Sequence, residues 1–276
     1  MKLIFLEGNQ QKLDGGAMFG NAPKAVWKKW AAPDEENRIP LACRCLLVQT
    51  SEGRNILFET GIGAYLDPTL KKRFGIDQNE HVLIENLKKH KLNTADIDAI
   101  VLSHLHFDHA GGLLLPYEEG FALAFPNARY YVSKSHWDYA MRPHQREKAS
   151  FIPHLHELLL ETNKCVWIEG EDCPELGLPL RFHFSEGHTI GLMLSELHTP
   201  DGPLVFVSDL APGLPWVHLP ITMGYDRFPE WLVDEKKKLF EELIKQRGKL
   251  FFTHDPNIPI ARLFQDEKGR FYAKSL

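Results

Sequence analysis

Three histidines and one aspartate stand within six positions of this chain, directly after an apolar run. These candidate metal ligands are His104, His106, Asp108 and His109. The run, residues 97–102, is short and aliphatic, which predicts a buried strand. Because side chains alternate along a strand, His104 and His106 are expected to point the same way at its end, and the loop after them can bend at Gly111 and Gly112. Ligands that approach one space from two directions favour a site for two metal ions over a site for one.

A polar loop whose histidines only hydrogen-bond their neighbours is the alternative explanation. It suits a single histidine, but three histidines and a carboxylate beside a buried strand favour metal binding. Imidazole and carboxylate ligands together suit Zn²⁺, and they are also compatible with Mn²⁺, Fe²⁺ or Co²⁺.

The pattern His-x-His-x-Asp-His resembles the signature of the metallo-β-lactamase superfamily. In that family three later residues complete the ligand set, and this chain has a candidate for each in the same order. They are His188, Asp209 and His254. The last two follow apolar runs, residues 203–208 and 250–253, and each run predicts a strand that ends near its ligand.

The resemblance implies two divalent metal ions that share one bridging carboxylate. The first ion would be held by His104, His106 and His188, the second by Asp108, His109 and His254, and Asp209 would bridge both. Residues 58–61, Phe-Glu-Thr-Gly, stand where the family usually has Asp-Thr-Gly. Glu59 therefore departs from the family pattern, which leaves open whether it takes the outer role of that aspartate.

Residues 15–20, Gly-Gly-Ala-Met-Phe-Gly, resemble one branch of the superfamily, the YtnP-type quorum-quenching lactonases, more closely than the antibiotic-cleaving β-lactamases. The resemblance implies that the substrate is a small lactone or ester, with an N-acyl-homoserine lactone as the expected class, and that a hydroxide shared by both ions attacks it. Asp108 would transfer the proton from the nucleophile to the leaving group. Lactonases of the family often have a tyrosine three residues after the bridging aspartate, where this chain has Pro212. Tyr225 is a candidate substitute, and a tyrosine packed at the base of its loop is the open alternative.

Two other functions remain open. One is a phosphotriester, phosphodiester or thioester hydrolase of the same superfamily, and the other is a metal-binding protein without turnover, which the complete ligand set disfavours. The net charge of −5 and the isoelectric point near 6.3 provide no general attraction to phosphate backbones or anionic lipid. The sequence therefore predicts neither a nucleic-acid partner nor a membrane partner.

A chain of 276 residues with 43% hydrophobic content can bury a full core as one large domain or two small ones. It has no Ser- or Pro-rich linker and no fixed repeat, so we expect a single domain over residues 1–276. The resemblance implies the α+β class, as an αββα sandwich in which two mixed sheets pack face to face between outer helices. The apolar run at residues 3–6 is too short for a signal peptide or a membrane span, which predicts a cytoplasmic protein.

Residues 8–40 predict a long irregular stretch, and such stretches are often functional. Its large apolar side chains are Met18, Phe19, Trp27 and Trp30. They would pack onto the domain or onto a second subunit, or they would line a substrate pocket, and a homodimer is one expectation. An amphipathic helix is predicted over residues 230–247, with Trp231 facing inward and the lysines 236–238 facing solvent. We expect two other histidines, His81 and His90, at the surface. Three further residues are expected at the border of a pocket: His136, Trp137 and His144.

Overall fold

The computed structural model describes residues 1–276. The chain forms two compact units, each built from two segments. The first unit comprises Met1–Gln11 and Ala42–Leu178, and the second comprises Lys12–Leu41 and Pro179–Leu276. None of the helices combines the length and the apolar character that a membrane crossing requires.

Sixteen strands and eight α-helices make up the regular structure. The strands are β1 Lys2–Glu7, β2 Gln11–Asp14, β3 Arg38–Leu41, β4 Arg44–Gln49, β5 Asn55–Phe58, β6 Ala99–Val101, β7 Leu114–Tyr117, β8 Gly120–Leu123, β9 Arg129–Ser133, β10 Cys165–Ile168, β11 Leu180–Ser185, β12 Leu192–Leu197, β13 Leu204–Phe206, β14 Lys249–Phe251, β15 Ile260–Gln265 and β16 Phe271–Ser275. The helices are α1 Gly15–Phe19, α2 Lys24–Trp27, α3 Pro68–Arg73, α4 Val82–Lys89, α5 Phe107–Ala110, α6 Lys134–Ala140, α7 Pro153–Glu161 and α8 Pro229–Lys245.

The first unit contains a six-stranded mixed sheet in the order β1-β4-β5-β6-β9-β10. Its first three strands are antiparallel neighbours, and the strands from β5 to β10 run parallel. The short strand β6 lies between β5 and β9, and its three residues are all buried. A parallel strand that is buried on both faces has a continuous hydrophobic sequence, which explains the apolar run before the histidine motif.

The second unit contains another six-stranded mixed sheet, in the order β11-β12-β13-β14-β15-β16. Only β13 and β14 are parallel, and the other neighbours are antiparallel. Helix α8 contacts β15, and its Phe240 belongs to the hydrophobic core of this unit together with Val205 and Leu250. Two mixed sheets with interspersed helices confirm the α+β class that was predicted.

The prediction of a long irregular stretch over residues 8–40 is wrong, because this part of the chain contains β2, α1, α2 and β3. Asp14 caps α1 by accepting a hydrogen bond from the backbone N–H of Ala17 at 2.8 Å, which stabilises a helix inside the glycine-rich run. Phe19 stacks between two indole rings, with ring centroids 5.5 Å from Trp27 and 4.5 Å from Trp216. Of the four apolar side chains, only Trp30 is exposed, at 43%. Three of them therefore pack in the core of the second unit.

Helix α8 is confirmed, but two of its side chains lie opposite to their predicted positions. Trp231, predicted to face inward, is 53% exposed, whereas Lys236, predicted to face solvent, is 0% exposed. Helical periodicity explains both results. Lys236 is four residues from Leu232 and from Phe240, so it lies on their buried face, and Trp231 does not.

Candidate metal centre

The four ligand candidates of the first unit lie just beyond β6 and are all buried. His104 lies in the connection after the strand, and His106 is the N-cap residue of α5. Asp108 and His109, predicted in a loop, belong to the single turn of α5. A ligand atom of His104 lies within 4.8 Å of ligand atoms of both His106 and His109, and the same limit holds between Asp108 and His109. The motif thus gathers its four side chains around one space.

The three ligand candidates of the second unit converge in the same manner. His188 follows β11, Asp209 follows β13 and His254 follows β14, and all three are buried. The Nε2 atom of His188 lies 3.3 Å from Oδ2 of Asp209, and the Nε2 atom of His254 lies 3.3 Å from Oδ1 of the same carboxylate. Each oxygen of Asp209 therefore faces a different imidazole. Ser208, just before it, has a φ of 43°, a strained conformation for a residue other than glycine.

Glu147 and Tyr139 determine which nitrogen of His106 can bind a metal. Oε1 of Glu147 lies 2.7 Å from Nε2 of His106, and its other oxygen accepts a hydrogen bond from the Tyr139 hydroxyl at 2.7 Å. An ionised carboxylate only accepts hydrogen bonds, so Nε2 has the proton and Nδ1 has the lone pair for a metal. No spacing in the sequence indicates Glu147, which lies 41 residues beyond His106.

Asp226 makes the corresponding contact to His188. Its Oδ1 lies 2.8 Å from Nδ1 of His188, and its Oδ2 accepts a hydrogen bond from the backbone N–H of Met223 at 2.6 Å. This pairing leaves the Nε2 atom of His188, which faces Asp209, as its ligand nitrogen. Asp226 is buried and directly follows the candidate Tyr225, but it was not among the site residues predicted from the sequence.

Glu59 forms an outer contact to the histidine motif. It is 1% exposed, its Oε1 accepts a hydrogen bond from the backbone N–H of Ser103 at 2.7 Å, and its Oε2 lies 3.3 Å from Nδ1 of His109. Its φ of 65° places it in the left-handed region. The Ser103 hydroxyl lies 2.8 Å from Nδ1 of His104. Three of the five candidate histidines, His104, His106 and His188, thus have one ring nitrogen at hydrogen-bond distance from a neighbouring side chain, which makes the other nitrogen the candidate metal ligand.

The glycines after the motif allow two backbone segments to approach closely. A Cβ atom on Gly112 would lie 2.0 Å from the carbonyl oxygen of Thr60, and one on Gly111 would lie 2.5 Å from that of Ile62. His81, predicted at the surface, is buried, and its Nε2 lies 2.8 Å from the Gly112 carbonyl oxygen. Burial lowers the pKa of His81, which favours its neutral form. This prediction for His81 is therefore wrong.

The remaining candidates lie in different environments. His136 is buried, and its Nε2 accepts a hydrogen bond from the backbone N–H of Leu105 at 2.9 Å, so it supports the motif from outside. Trp137 is buried in the core of the first unit, and His144 is exposed. Tyr225 is 42% exposed. A pocket role for any of them stays a prediction.

Two further buried polar residues were not predicted from the sequence. Gln11 is buried and donates a hydrogen bond from Nε2 to Oδ2 of Asp108 at 2.6 Å. The buried Lys236 donates from Nζ to the carbonyl oxygens of Trp216 at 3.0 Å and Ile221 at 2.8 Å. Burial lowers the pKa of Lys236 to about 7, although the nearby Asp226 carboxylate acts in the opposite direction.

The ligand candidates fit divalent metal ions by the chemistry of their donors. Imidazole nitrogens and carboxylate oxygens converge in each unit, and carboxylates orient the rings from behind, as is typical of protein metal sites.

Comparisons with known proteins show the family to which the chain belongs. The family model described as the metallo-beta-lactamase superfamily matches residues 38–254, a range that includes all seven ligand candidates. An N-acyl homoserine lactonase from Bacillus thuringiensis is 25% identical over 231 residues, which cover 76% of this chain and 80% of that protein.

Solved structures share the fold along the whole chain. A probable metal-dependent hydrolase from Staphylococcus aureus has a TM-score of 0.87 at 27% identity and covers 100% of this chain and 97% of its own. AidC, a dizinc quorum-quenching lactonase in complex with a product, has a TM-score of 0.77 at 22% identity and covers 99% of this chain and 94% of its own. At 22% identity, the similarity to AidC shows a shared fold only.

Proposed function

This chain belongs to the metallo-β-lactamase superfamily, and from that premise we propose that it is a dinuclear metal-dependent hydrolase that opens lactone rings of the N-acyl-homoserine type. The family and the relatives indicate a metal-dependent hydrolase. The finer proposal depends on one observation, the similarity to an N-acyl homoserine lactonase over three quarters of the chain. The buried, convergent donors support it.

We propose that seven residues hold the two ions. His104, His106 and His188 would hold one, Asp108, His109 and His254 would hold the other, and Asp209 would contact both. The positions of the Asp209 oxygens support this role, because each lies 3.3 Å from a different imidazole. Zn²⁺ fits these donors, and Mn²⁺, Fe²⁺ or Co²⁺ is compatible with them. When bound, such ions supply a water of lowered pKa and polarise the substrate carbonyl.

The protein's own groups would orient the ligands and transfer the proton. Glu147 and Asp226 orient the rings of two histidines, His106 and His188, by contacts of 2.7 and 2.8 Å. The Glu59 carboxylate lies 3.3 Å from the ring of His109 and provides a negative charge behind it. Asp108 would move a proton from the attacking water to the leaving alkoxide of the opened ring. Gln11 supports this role, because its hydrogen bond to Oδ2 fixes the Asp108 carboxylate.

Tyr225 is proposed to hydrogen-bond the substrate oxygen, in the role of the tyrosine that Pro212 replaces. Its exposed position on the loop before Asp226 is compatible with contact to a ligand. A homodimer and a cytoplasmic location remain predictions, which sedimentation and cell fractionation would test.

Hydrolysis of a substrate panel by the purified, metal-quantified protein tests the proposal. The panel contains short- and long-chain acyl-homoserine lactones, an aryl ester, paraoxon, a bis-aryl phosphodiester and a thioester. We expect two ions per chain and lactone turnover that is lost on chelation and in His106→Ala. His90→Ala, which removes an exposed histidine, is the matched control and should behave as wild type. Lactone hydrolysis that survives removal of both ions would contradict the proposal. If only a phosphorus or thioester substrate is hydrolysed, that class of substrate would replace the lactone in the proposed function.

A further inference from the structure

Helix α8 contacts the backbone just before His188. The Glu235 carboxylate accepts hydrogen bonds from the Ser185 hydroxyl at 2.6 Å and from the backbone N–H groups of the next two residues at 2.9 and 3.2 Å. A Cβ atom on Gly187 would lie 2.4 Å from Cβ of Leu232, so the glycine permits direct contact with the helix. The backbone that leads to His188 is thus fixed against one turn of α8.

The next residue of the same helix contacts the loop that ends at Asp226. We name residues 214–226 the Asp226 loop. Lys236 is 0% exposed, and its Nζ donates to two carbonyl oxygens of this loop, those of Trp216 and Ile221. A neutral amine has two N–H groups, which is enough to satisfy both acceptors. Lys236 therefore ties the Asp226 loop to α8.

The Asp226 loop and the His188 turn are joined to each other. Besides the contact of Asp226 with Nδ1 of His188 at 2.8 Å, the backbone N–H of Arg227 donates to the His188 carbonyl oxygen at 3.2 Å. The backbone N–H of Phe228 donates to the Gly187 carbonyl oxygen at 2.9 Å. A shift of the loop against α8 would consequently change the orientation of the His188 ring.

The Asp226 loop has a second attachment that does not involve α8. The indole N–H of Trp216 donates to the carbonyl oxygen of Met18 at 2.9 Å, and the backbone N–H of Gly224 donates to that of Ala17 at 2.7 Å. Loss of the Lys236 contacts should therefore loosen the loop without releasing it.

We propose that Lys236 and Glu235 are positioning residues that set the orientation of His188 as a metal ligand. Lys236 acts through the Asp226 loop, and Glu235 acts on the backbone before His188. This inference rests on the proposed function, because it requires His188 to bind an ion.

Metal binding by two matched lysine variants tests the inference. Lys236→Met removes the buried amine, and Lys237→Met makes the same substitution at the next residue, whose side chain is 57% exposed. Zn²⁺ per chain is counted, and the affinity of each ion is measured by competition with a chelator. In Lys236→Met we expect one ion to bind about 10–100-fold more weakly and the other to be unchanged, because only one ion uses His188. Lys237→Met should bind both ions as wild type does.

A coupling experiment separates positioning from a general structural effect. Asp226→Asn should weaken binding of the same ion, and adding Lys236→Met should weaken it by less than the two single effects combined, since part of the Lys236 effect passes through the Asp226 side chain. Glu235→Gln should weaken the same ion and provides the test if Lys236→Met does not fold.

The outcomes distinguish this inference from the proposed function. Wild-type affinity for both ions in Lys236→Met, equal weakening of both ions, or additive losses in the double variant would overturn the inference and leave the proposed function intact. A wild-type protein that binds no ion would overturn both.

Discussion

Replacing Lys236 by methionine should change how the stability of the protein depends on pH. Burial lowers the pKa of this lysine from 10.5 to about 7 in the folded protein. Between these values the unfolded chain binds the proton and the folded protein does not. Because the unfolded state binds more protons, the free energy of unfolding of the wild type rises as the pH increases from about 7 toward 10.5.

The size of the effect follows from the shift. Each unit of pKa difference corresponds to about 1.4 kcal/mol. At a pH well below the pKa of Lys236 in the folded protein, burial of its charged amine therefore destabilises the folded state by on the order of 5 kcal/mol. Between pH 7 and pH 9 the free energy of unfolding should rise almost linearly with pH. Over this range Lys236 alone should add about 2 kcal/mol to the unfolding free energy of the wild type.

Urea unfolding of the Zn²⁺-saturated proteins at pH 7, 8 and 9 measures this gain. The difference in unfolding free energy between wild type and Lys236→Met removes the contributions of all groups that titrate alike in the two proteins. From pH 7 to pH 9 we expect the wild type to become more stable relative to Lys236→Met by about 2 kcal/mol. The same difference for Lys237→Met should stay flat, because that side chain is exposed. If the difference between wild type and Lys236→Met does not change with pH, or if the variant becomes relatively more stable as the pH rises, the lowered pKa of Lys236 would be refuted.

Three further perturbations have defined outcomes. Glu147→Gln should weaken metal binding about 10–100-fold, measured by chelator competition, because Nε2 of His106 loses its carboxylate; unchanged affinity would contradict that role. Gly112→Ala should fail to give folded protein by circular dichroism, since its Cβ would overlap the Thr60 carbonyl oxygen, whereas Gly170→Ala, with open space around it, should fold normally. Phe19→Ala should lower the free energy of unfolding by about 3–5 kcal/mol in a denaturant titration, because a fully buried ring is lost, and a loss below about 1 kcal/mol would contradict its core position.

The sequence was sufficient to predict the strand before the histidine motif and a set of ligand candidates that all lie buried. Both depend on local patterns, a hydrophobic run and a fixed spacing. Glu147 and Asp226 could not be found in this way, because each lies about 40 residues from the histidine it contacts and no pattern relates the two positions.

Lys236 is a different kind of failure, since the sequence contained the necessary signal. The residue lies at helical spacing from Leu232 and Phe240, which places it on their face. Its charge and the adjacent lysines outweighed that spacing in our prediction. The prediction for residues 8–40 was wrong for a related reason. The glycines in this stretch favoured an irregular loop, although Asp14 provides an N-cap for a helix.

The ligand candidates lie far apart along the chain, and this has a consequence during protein synthesis. His109 and His254 are 145 residues apart, and at a translation rate of about 5–20 residues per second the later one is made roughly 7–30 seconds after the earlier one. Until His188 is made, the nascent chain presents four ligand candidates without the other three, and until His254 is made the set still lacks at least one member. Because metals also bind unfolded histidine segments, an ion captured early would be held by a partial set and could exchange until His254 is made. The identity of the metal in the finished protein should therefore be decided after translation of the last ligand.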